Sequence, residues 1–199
     1  MSNQLSENVN YLPREKYDEI LNYVKNKLTT RKLDSTDIQM IFKISYHGGL
    51  RINECLKLCK NNFDFSRNLI TLGHTKTHEN DFATFPNSFS NELKQYLEVE
   101  RAVLSKTDLL FPVSRQTIYI WLMDIGKALN IAAWTTTQKE SHEKTKTHIF
   151  RKSIGKDMHY KGAPDNVVMT KLRHTNLETT TKYLRLNNKD VQRWENENL

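Results

Sequence analysis

The hydrophobic period of this chain changes twice, and those changes decide what it can fold into. From Tyr17 to Leu58 apolar residues recur three and four apart, the spacing of a buried helical stripe. Between Phe63 and Phe85 the period is two, the spacing of strands with one face inward. Beyond Leu93 the helical spacing returns. A short strand region between helical ones predicts a mainly α fold with a small three-stranded antiparallel β-sheet, because successive hairpin strands need only tight turns between them.

Local signals mark the elements. Pro13 opens a helix whose inward stripe is Tyr17, Ile20, Leu21, Val24 and Leu28. Asp34-Ser35-Thr36-Asp37 caps a second helix, dense in Ile38, Ile41, Phe42 and Ile44 and broken by His47-Gly48-Gly49. Helical spacing restarts at once over Leu50 to Leu58, which puts Arg51 at a helix N-terminus. Phe63-Asp64-Phe65, a turn at Ser66-Arg67-Asn68 and the run Leu69 to Leu72 predict a hairpin, with Phe82 to Phe85 as the third strand. Ser88 or Ser90 is expected to cap a helix reaching Leu104, and Leu109 to Pro112 to form a buried link. A helix from Ser114 to Asn130 turns Ile118, Trp121, Leu122, Ile125 and Leu129 inward. Thr135 to Thr147 holds no apolar residue and reads as a flexible excursion, and long loops of this kind are often functional. Residues 1–11 read as a disordered arm, 12–186 as one domain, and 187–199 as a polar tail.

Charge narrows the partner. Lys and Arg number 30 against 23 Asp and Glu, a net charge of +7. That balance fits a polyanion, with double-stranded DNA ahead of a membrane because no basic amphipathic anchor stands out. No apolar run reaches the roughly 18 residues of a spanning helix. The first ten residues lack a signal peptide's apolar stretch. Two cysteines without secretory context fit reduced thiols, so the expected location is the cytoplasm.

The chemistry concentrates between Thr147 and Tyr183. His148 and Arg151 stand at i and i+3 and share one face of a helix. Gly162 supplies a helix stop and Pro164 a new start, and that second segment ends at Leu172-Arg173-His174. Tyr183 follows nine residues later. Arg suits bidentate contact with phosphate, and Tyr can serve as a covalent nucleophile. The combination points to phosphoryl transfer to a tyrosine. Upstream, Arg51 sits beside the flexible glycine pair, and Glu54, one turn on, is placed to hold Arg51 or orient another group, or to form an ordinary surface ion pair with it.

These residues resemble, in order and spacing, the boxes of the tyrosine recombinase family of phage and archaeal-virus integrases and chromosome-dimer resolvases. Gly49 to Glu54 is similar to the first-arginine box with its acidic residue. Lys76 matches the lysine between the second and third strands. His148-Ile149-Phe150-Arg151 resembles H-x-x-R, and Leu172-Arg173-His174 resembles L-G-H. Lys152 and Arg173 depart from the usual His and Gly at their positions. The resemblance implies a DNA breaking-rejoining fold and six catalytic residues, Arg51, Lys76, His148, Arg151, His174 and Tyr183, with Glu54 in support. It implies Tyr183 attacking a phosphodiester, Arg51, Arg151 and His174 holding the phosphoryl oxygens, His148 as base and Lys76 as acid. It implies no cofactor, no metal and no ATP. The tail after Tyr183 resembles the segment recombinases exchange between protomers, so a homo-tetramer on DNA is expected. Such proteins usually carry a DNA-clamping domain ahead of the catalytic one, so the chain reads as a compact recombinase or as the catalytic part of a longer one.

Other readings are weighed against these. Cys55, Cys59, His74 and His78 approximate a C2H2 zinc spacing, but the cysteines fall on the helix and the histidines beside the hairpin, the reverse of a finger. Type IB topoisomerase-like relaxation would use the same chemistry without exchanging partners. A non-catalytic DNA-binding module on the same fold would not need all six catalytic residue types. His47, His142 and His159 read as surface or helix-end residues.

Overall fold

The computed structural model of the chain describes residues 11–27, 33–73, 81–131 and 147–174. Helices α1 (Arg14–Lys27), α2 (Ser35–Gly48) and the single turn α3 (Ile52–Cys55) lead into a 3-10 turn (Lys60–Asn62). Strands β1 (Phe63–Asp64), β2 (Leu69–Leu72) and β3 (Asp81–Thr84) form an antiparallel sheet in the order β1-β2-β3. Helices α4 (Asn87–Glu98), α5 (Arg115–Ala128), α6 (Ile149–Tyr160) and α7 (Asp165–Lys171) follow. The expected mainly helical fold with its three-stranded sheet is the one observed.

Helix α2 is the hub because its sequence is apolar nearly all round. Ile38, Met40, Ile41, Phe42, Ile44 and Tyr46 are all buried. Phe42 stacks on Phe150 of α6 at 4.6 Å, and Tyr46 stacks on Tyr17 of α1 at 4.3 Å. Burying each such side chain is worth about 1.5–3 kcal/mol, so these two pairs weld three helices together. The start of α2 is the one its sequence advertises. Asp37 N–H donates to the Asp34 carboxylate (2.9 Å) while Asp34 N–H donates to Asp37 (3.0 Å). Its end is set by Gly49 at φ +62°, where the chain turns and Leu50 N–H returns to the Ser45 carbonyl.

Several expectations need correction. Neither Ser88 nor Ser90 caps α4; the helix starts directly after Pro86, with no side-chain cap, and ends at Glu98. Arg101 explains the early stop. Its Nε donates to Tyr96 Oη (2.9 Å) and its guanidinium pairs with the buried Asp37, which folds the chain back. Val99 and Val103 are left facing solvent, and Leu104 packs on the core from a turn. The segment from Leu50 to Leu58 is helical only over α3, although Leu50, Ile52, Cys55 and Leu58 are all buried. In the link before α5, Leu110 and Phe111 are buried but Leu109 and Pro112 are exposed.

Tyr11, the last residue of the expected arm, packs against Tyr160, and Leu12 N–H donates to the buried Ser153 hydroxyl (2.7 Å). Residues 1–10, Leu28, the polar run up to residue 146 and the tail lie outside the described residues. Among the described residues no helix is long and apolar enough to cross a membrane.

Candidate active site

The site is built where α2 ends, α3 begins, and the last two helices turn back. Gly49 is the pivot. A Cβ there would lie 3.2 Å from the Lys171 carbonyl oxygen, so the glycine lets the end of α7 approach the α2–α3 corner. Two residues on, Arg51 occupies the N-cap of α3. Glu54 reaches back to it twice, accepting from the Arg51 N–H (2.7 Å) and from Nη1 (2.8 Å). The expected i,i+3 pair is therefore real and doubly bonded. The Arg51 side chain keeps 42% of its surface and opens onto a cleft of ≈ 140 Å³ shared with Asn53, Arg115, Thr147 and His148.

His148 occupies the N-cap position of α6 without a side-chain capping bond, and Arg151 follows within the first turn. The two arginines differ sharply in setting. Arg151 is fully buried, a charged side chain among the large residues wholly enclosed in the described interior. Its Nη1 donates to the Gly49 carbonyl (2.7 Å) and its Nη2 to the Leu172 carbonyl. One guanidinium thus ties α6 to the ends of α2 and α7.

Arg173 stands where the motif it resembles has a glycine. Here it adopts φ +49°, the left-handed conformation a glycine would take without strain. Its Nη2 meets Glu54 Oε2 at 2.5 Å and its Nε meets Asp81 Oδ2 at 3.0 Å. Although burial opposes ionisation of Glu54, Arg173 and Arg51 together hold its carboxyl below the usual range. Sequence reading missed Asp81 and Arg115 altogether. Asp81 closes a polar run ahead of the third strand and Arg115 opens a helix, positions with no local signal of a role in the site. Arg115 instead donates to Thr147 (3.3 Å) beside His148.

The structure gathers Arg51, Arg151, His148, His174 and Glu54, while Lys76 and Tyr183 lie outside the described residues. Burial and the charges of Arg151, Arg51, Lys152 and Arg115 push the His148 imidazole down to about 4. Burial, Arg151, Arg51 and Arg173 do the same to His174, also to about 4. Both imidazoles are therefore neutral at pH 7 and each feels both arginines. Lys171 is lowered to about 8 by burial and Arg173, and its Nζ donates to the carbonyls of His47 (2.6 Å) and Thr84 (2.6 Å).

The remaining candidates have structural settings. His47 is not a surface residue; it stacks on Phe89 at 4.6 Å, and burial is the main reason it is pushed down to about 4. His159 lies at the end of α6, 3.3 Å from Asp165. Cys55 is fully buried, which pushes its thiol up, and Cys59 Sγ lies 3.1 Å from Asn62 Oδ1. His74, His78 and His142 lie outside the described residues.

Three lowered imidazoles make stability depend on pH. Their folded values lie below the ordinary 6.5, so the unfolded chain binds more protons between pH 6.5 and 4. Stability is expected to fall as pH drops through that window and to be insensitive to these groups above it. Urea midpoints at pH 7 and pH 5 measure this. His47→Phe, which keeps the stack on Phe89, should shrink the difference, and an unchanged midpoint at pH 5 would show that the imidazoles protonate freely in the fold.

A helical domain with this small sheet, carrying paired arginines and histidines at one corner, is the architecture of tyrosine recombinase catalytic domains. The phage integrase family profile matches residues 10–190, and the chain belongs to that family. A probable integrase/recombinase of Acholeplasma phage L2 is 24% identical over 177 residues, 85% of this chain and 55% of that protein. The chain spans about half the length of the curated relatives it matches. Among solved structures, the XerH site-specific recombinase bound to palindromic difH substrate aligns with 96% of this chain and 53% of its own at 22% identity, with a TM-score of 0.67. The catalytic domain of bacteriophage HP1 integrase aligns over 94% of both chains at 15% identity, with a TM-score of 0.61.

Proposed function

We propose that the chain carries out site-specific recombination of duplex DNA by cutting and rejoining strands through a 3′-phosphotyrosyl bond on Tyr183. The Tyr183 oxygen bonds to phosphorus as the P–O5′ bond breaks. A phenol titrates near 10, so its proton must leave during attack, and His148 accepts it. The departing 5′-oxygen takes a proton from Lys76. Arg51, from the open side of the cleft, and Arg151, from beneath, balance the charge that builds on the non-bridging oxygens, and His174 adds a hydrogen bond. The phosphodiester energy is kept in the tyrosyl bond, so no ATP is consumed, and the guanidinium pair supplies the charge a metal would otherwise bring. The chain acts as a tetramer on paired half-sites in the cytoplasm of a prokaryotic or virus-infected cell. The palindromic substrate of the XerH complex supports the paired arrangement.

The observation carrying this reading is geometric: Arg51 and His148 line one cleft, and Arg151, one turn into the helix that His148 begins, donates to the Leu172 carbonyl two residues before His174. The lowered imidazoles, neutral at pH 7, leave His148 able to accept a proton and His174 to donate an N–H. The test is a nicked duplex that traps the covalent complex, incubated with the protein and EDTA. A protease-sensitive adduct whose DNA-linked peptide contains Tyr183 is the expected result. Failure to trap any adduct, with salt-sensitive binding intact, would move the reading to a non-catalytic DNA-binding module. Adduct without strand exchange between two sites would move it to strand relaxation. Arg51→Ala should slow adduct formation by about 10²–10³-fold, as loss of an oxyanion donor does. Its melting temperature should hardly move, because the side chain is 42% exposed.

A further inference from the structure

His174 is carried by a short helix that apolar packing holds on one side. Its N–H closes onto the Met169 carbonyl of α7 (3.1 Å), so the residue goes where that seven-residue helix goes. The buried apolar residues there, Val168 and Leu172, pack with Ile154, Met158 and Ala163, which fastens α7 to α6. Towards the sheet a cleft of ≈ 310 Å³ lies between α7 and β3. Phe82 and Val167 on its walls stay 48% and 45% exposed, so they do not close it.

Lys171 reaches across that cleft. Its Nζ donates to the Thr84 carbonyl at the end of β3 (2.6 Å) and to the His47 carbonyl in the last turn of α2 (2.6 Å), 87 and 124 residues away in sequence. Its Cε lies 3.6 Å from where a Cβ on Gly49 would stand, two residues ahead of Arg51. We propose that Lys171 is a positioning residue for His174, a strut that ties α7 to the ends of α2 and β3 and so holds His174 in register with Arg51. An ammonium suits the task, because its three N–H groups sit on a long stem and can serve two carbonyls at once. Arg151 holds the next residue by the Leu172 carbonyl, and Arg173 the one after through Glu54 and Asp81, but Lys171 is the tie on the helix itself. The role rests on the strand-cleaving reading above, in which His174 hydrogen-bonds a phosphoryl oxygen.

A double-mutant cycle separates placement of His174 from general loosening. The full chain is assayed on a nicked duplex recovered from the protein's own covalent adducts. Lys171→Met keeps a stem and loses the donors, and it should slow adduct formation by about ten-fold, the worth of one hydrogen bond to a charged oxygen. In a His174→Ala background the same change should cost less than about two-fold, because the side chain it places is gone. Lys171→Arg, which keeps the charge and the N–H donors, should restore most of the wild-type rate. Lys171→Gln, with two N–H groups on a shorter stem, replaces the Met variant if that one does not fold.

The second readout needs no DNA. In imidazole NMR titrations of the wild type, the His174 signal, assigned through His174→Gln, should have its midpoint at about 4, held there by burial and by Arg151, Arg51 and Arg173. Lys171 is not one of those charges, so a midpoint that climbs toward 6.5 in Lys171→Met reports a displaced ring rather than a lost ammonium. Equal slowing in both backgrounds, no slowing at all, or a His174 midpoint unmoved by Lys171→Met would overturn the positioning role and leave the cleavage reading intact. A wild-type protein that forms no adduct would instead overturn the cleavage reading, and the NMR midpoint alone would then decide whether Lys171 places His174.

Discussion

Tyr183→Phe is expected to abolish the covalent protein–DNA adduct while leaving DNA binding within a few-fold of wild type. Phe keeps the ring and loses only the oxygen that would bond to phosphorus. No neighbouring group in the proposed scheme can replace that nucleophile, so the loss should be about 10⁴-fold or greater. Binding should survive because it draws on the net charge of +7, which the substitution does not touch. Denaturing gels of the trapped complex and gel shifts at two salt concentrations measure the two properties together. Affinity should fall steeply with salt in both proteins, since released counterions drive it. Persistence of the adduct in the Phe variant would show that another residue is the nucleophile.

Arg151→Ala is expected to be nearly as damaging to the reaction and, unlike the tyrosine change, to damage the fold as well. Its guanidinium is wholly buried and donates to the carbonyls of Gly49 and Leu172. Truncation strands two acceptors in the interior and leaves a cavity the size of the side chain. Leaving each buried acceptor unsatisfied costs about 1–3 kcal/mol, before the cavity is counted. For a domain of this size the melting temperature should drop by about 10 °C. Arg151→Lys should fall between the two, because an ammonium can reach one carbonyl but lacks the planar fork to bridge both. Thermal melts beside adduct assays would separate the effects. A melt unchanged in Arg151→Ala would mean the carbonyls find other donors.

The elements were legible wherever their signals were local. The reciprocal cap at Asp34 and Asp37, the glycine stop at Gly49 and the alternation around Ile70 all depend on residues within a few positions of each other. The end of α4 was not legible, because Arg101 is drawn back by Asp37, which is far away in sequence, and its start was misjudged because the helix begins at once after Pro86, ahead of both serines. The same division runs through the site. His148 and Arg151 share a turn, and Arg51 and Glu54 share another, so their spacing exposes them. That Arg151 would be wholly buried could not be read, because its acceptors are backbone carbonyls on two other elements. Arg173 looked like a blemish in a motif, since its partners Glu54 and Asp81 lie roughly half a chain away. His47 looked like an ordinary helix end because nothing nearby announces its stack on Phe89.

The contrast between the two arginines bears on how such a protein can decay. A mutant library screened only for folded, soluble protein, with no demand for cutting, should accept many residues at position 51 and very few at position 151. Lineages that abandon strand cleavage would then lose Arg51 or the tyrosine first and keep Arg151 long after its charge had stopped serving chemistry. An intact second arginine is thus a poor sign of a working enzyme, and an intact first arginine a better one.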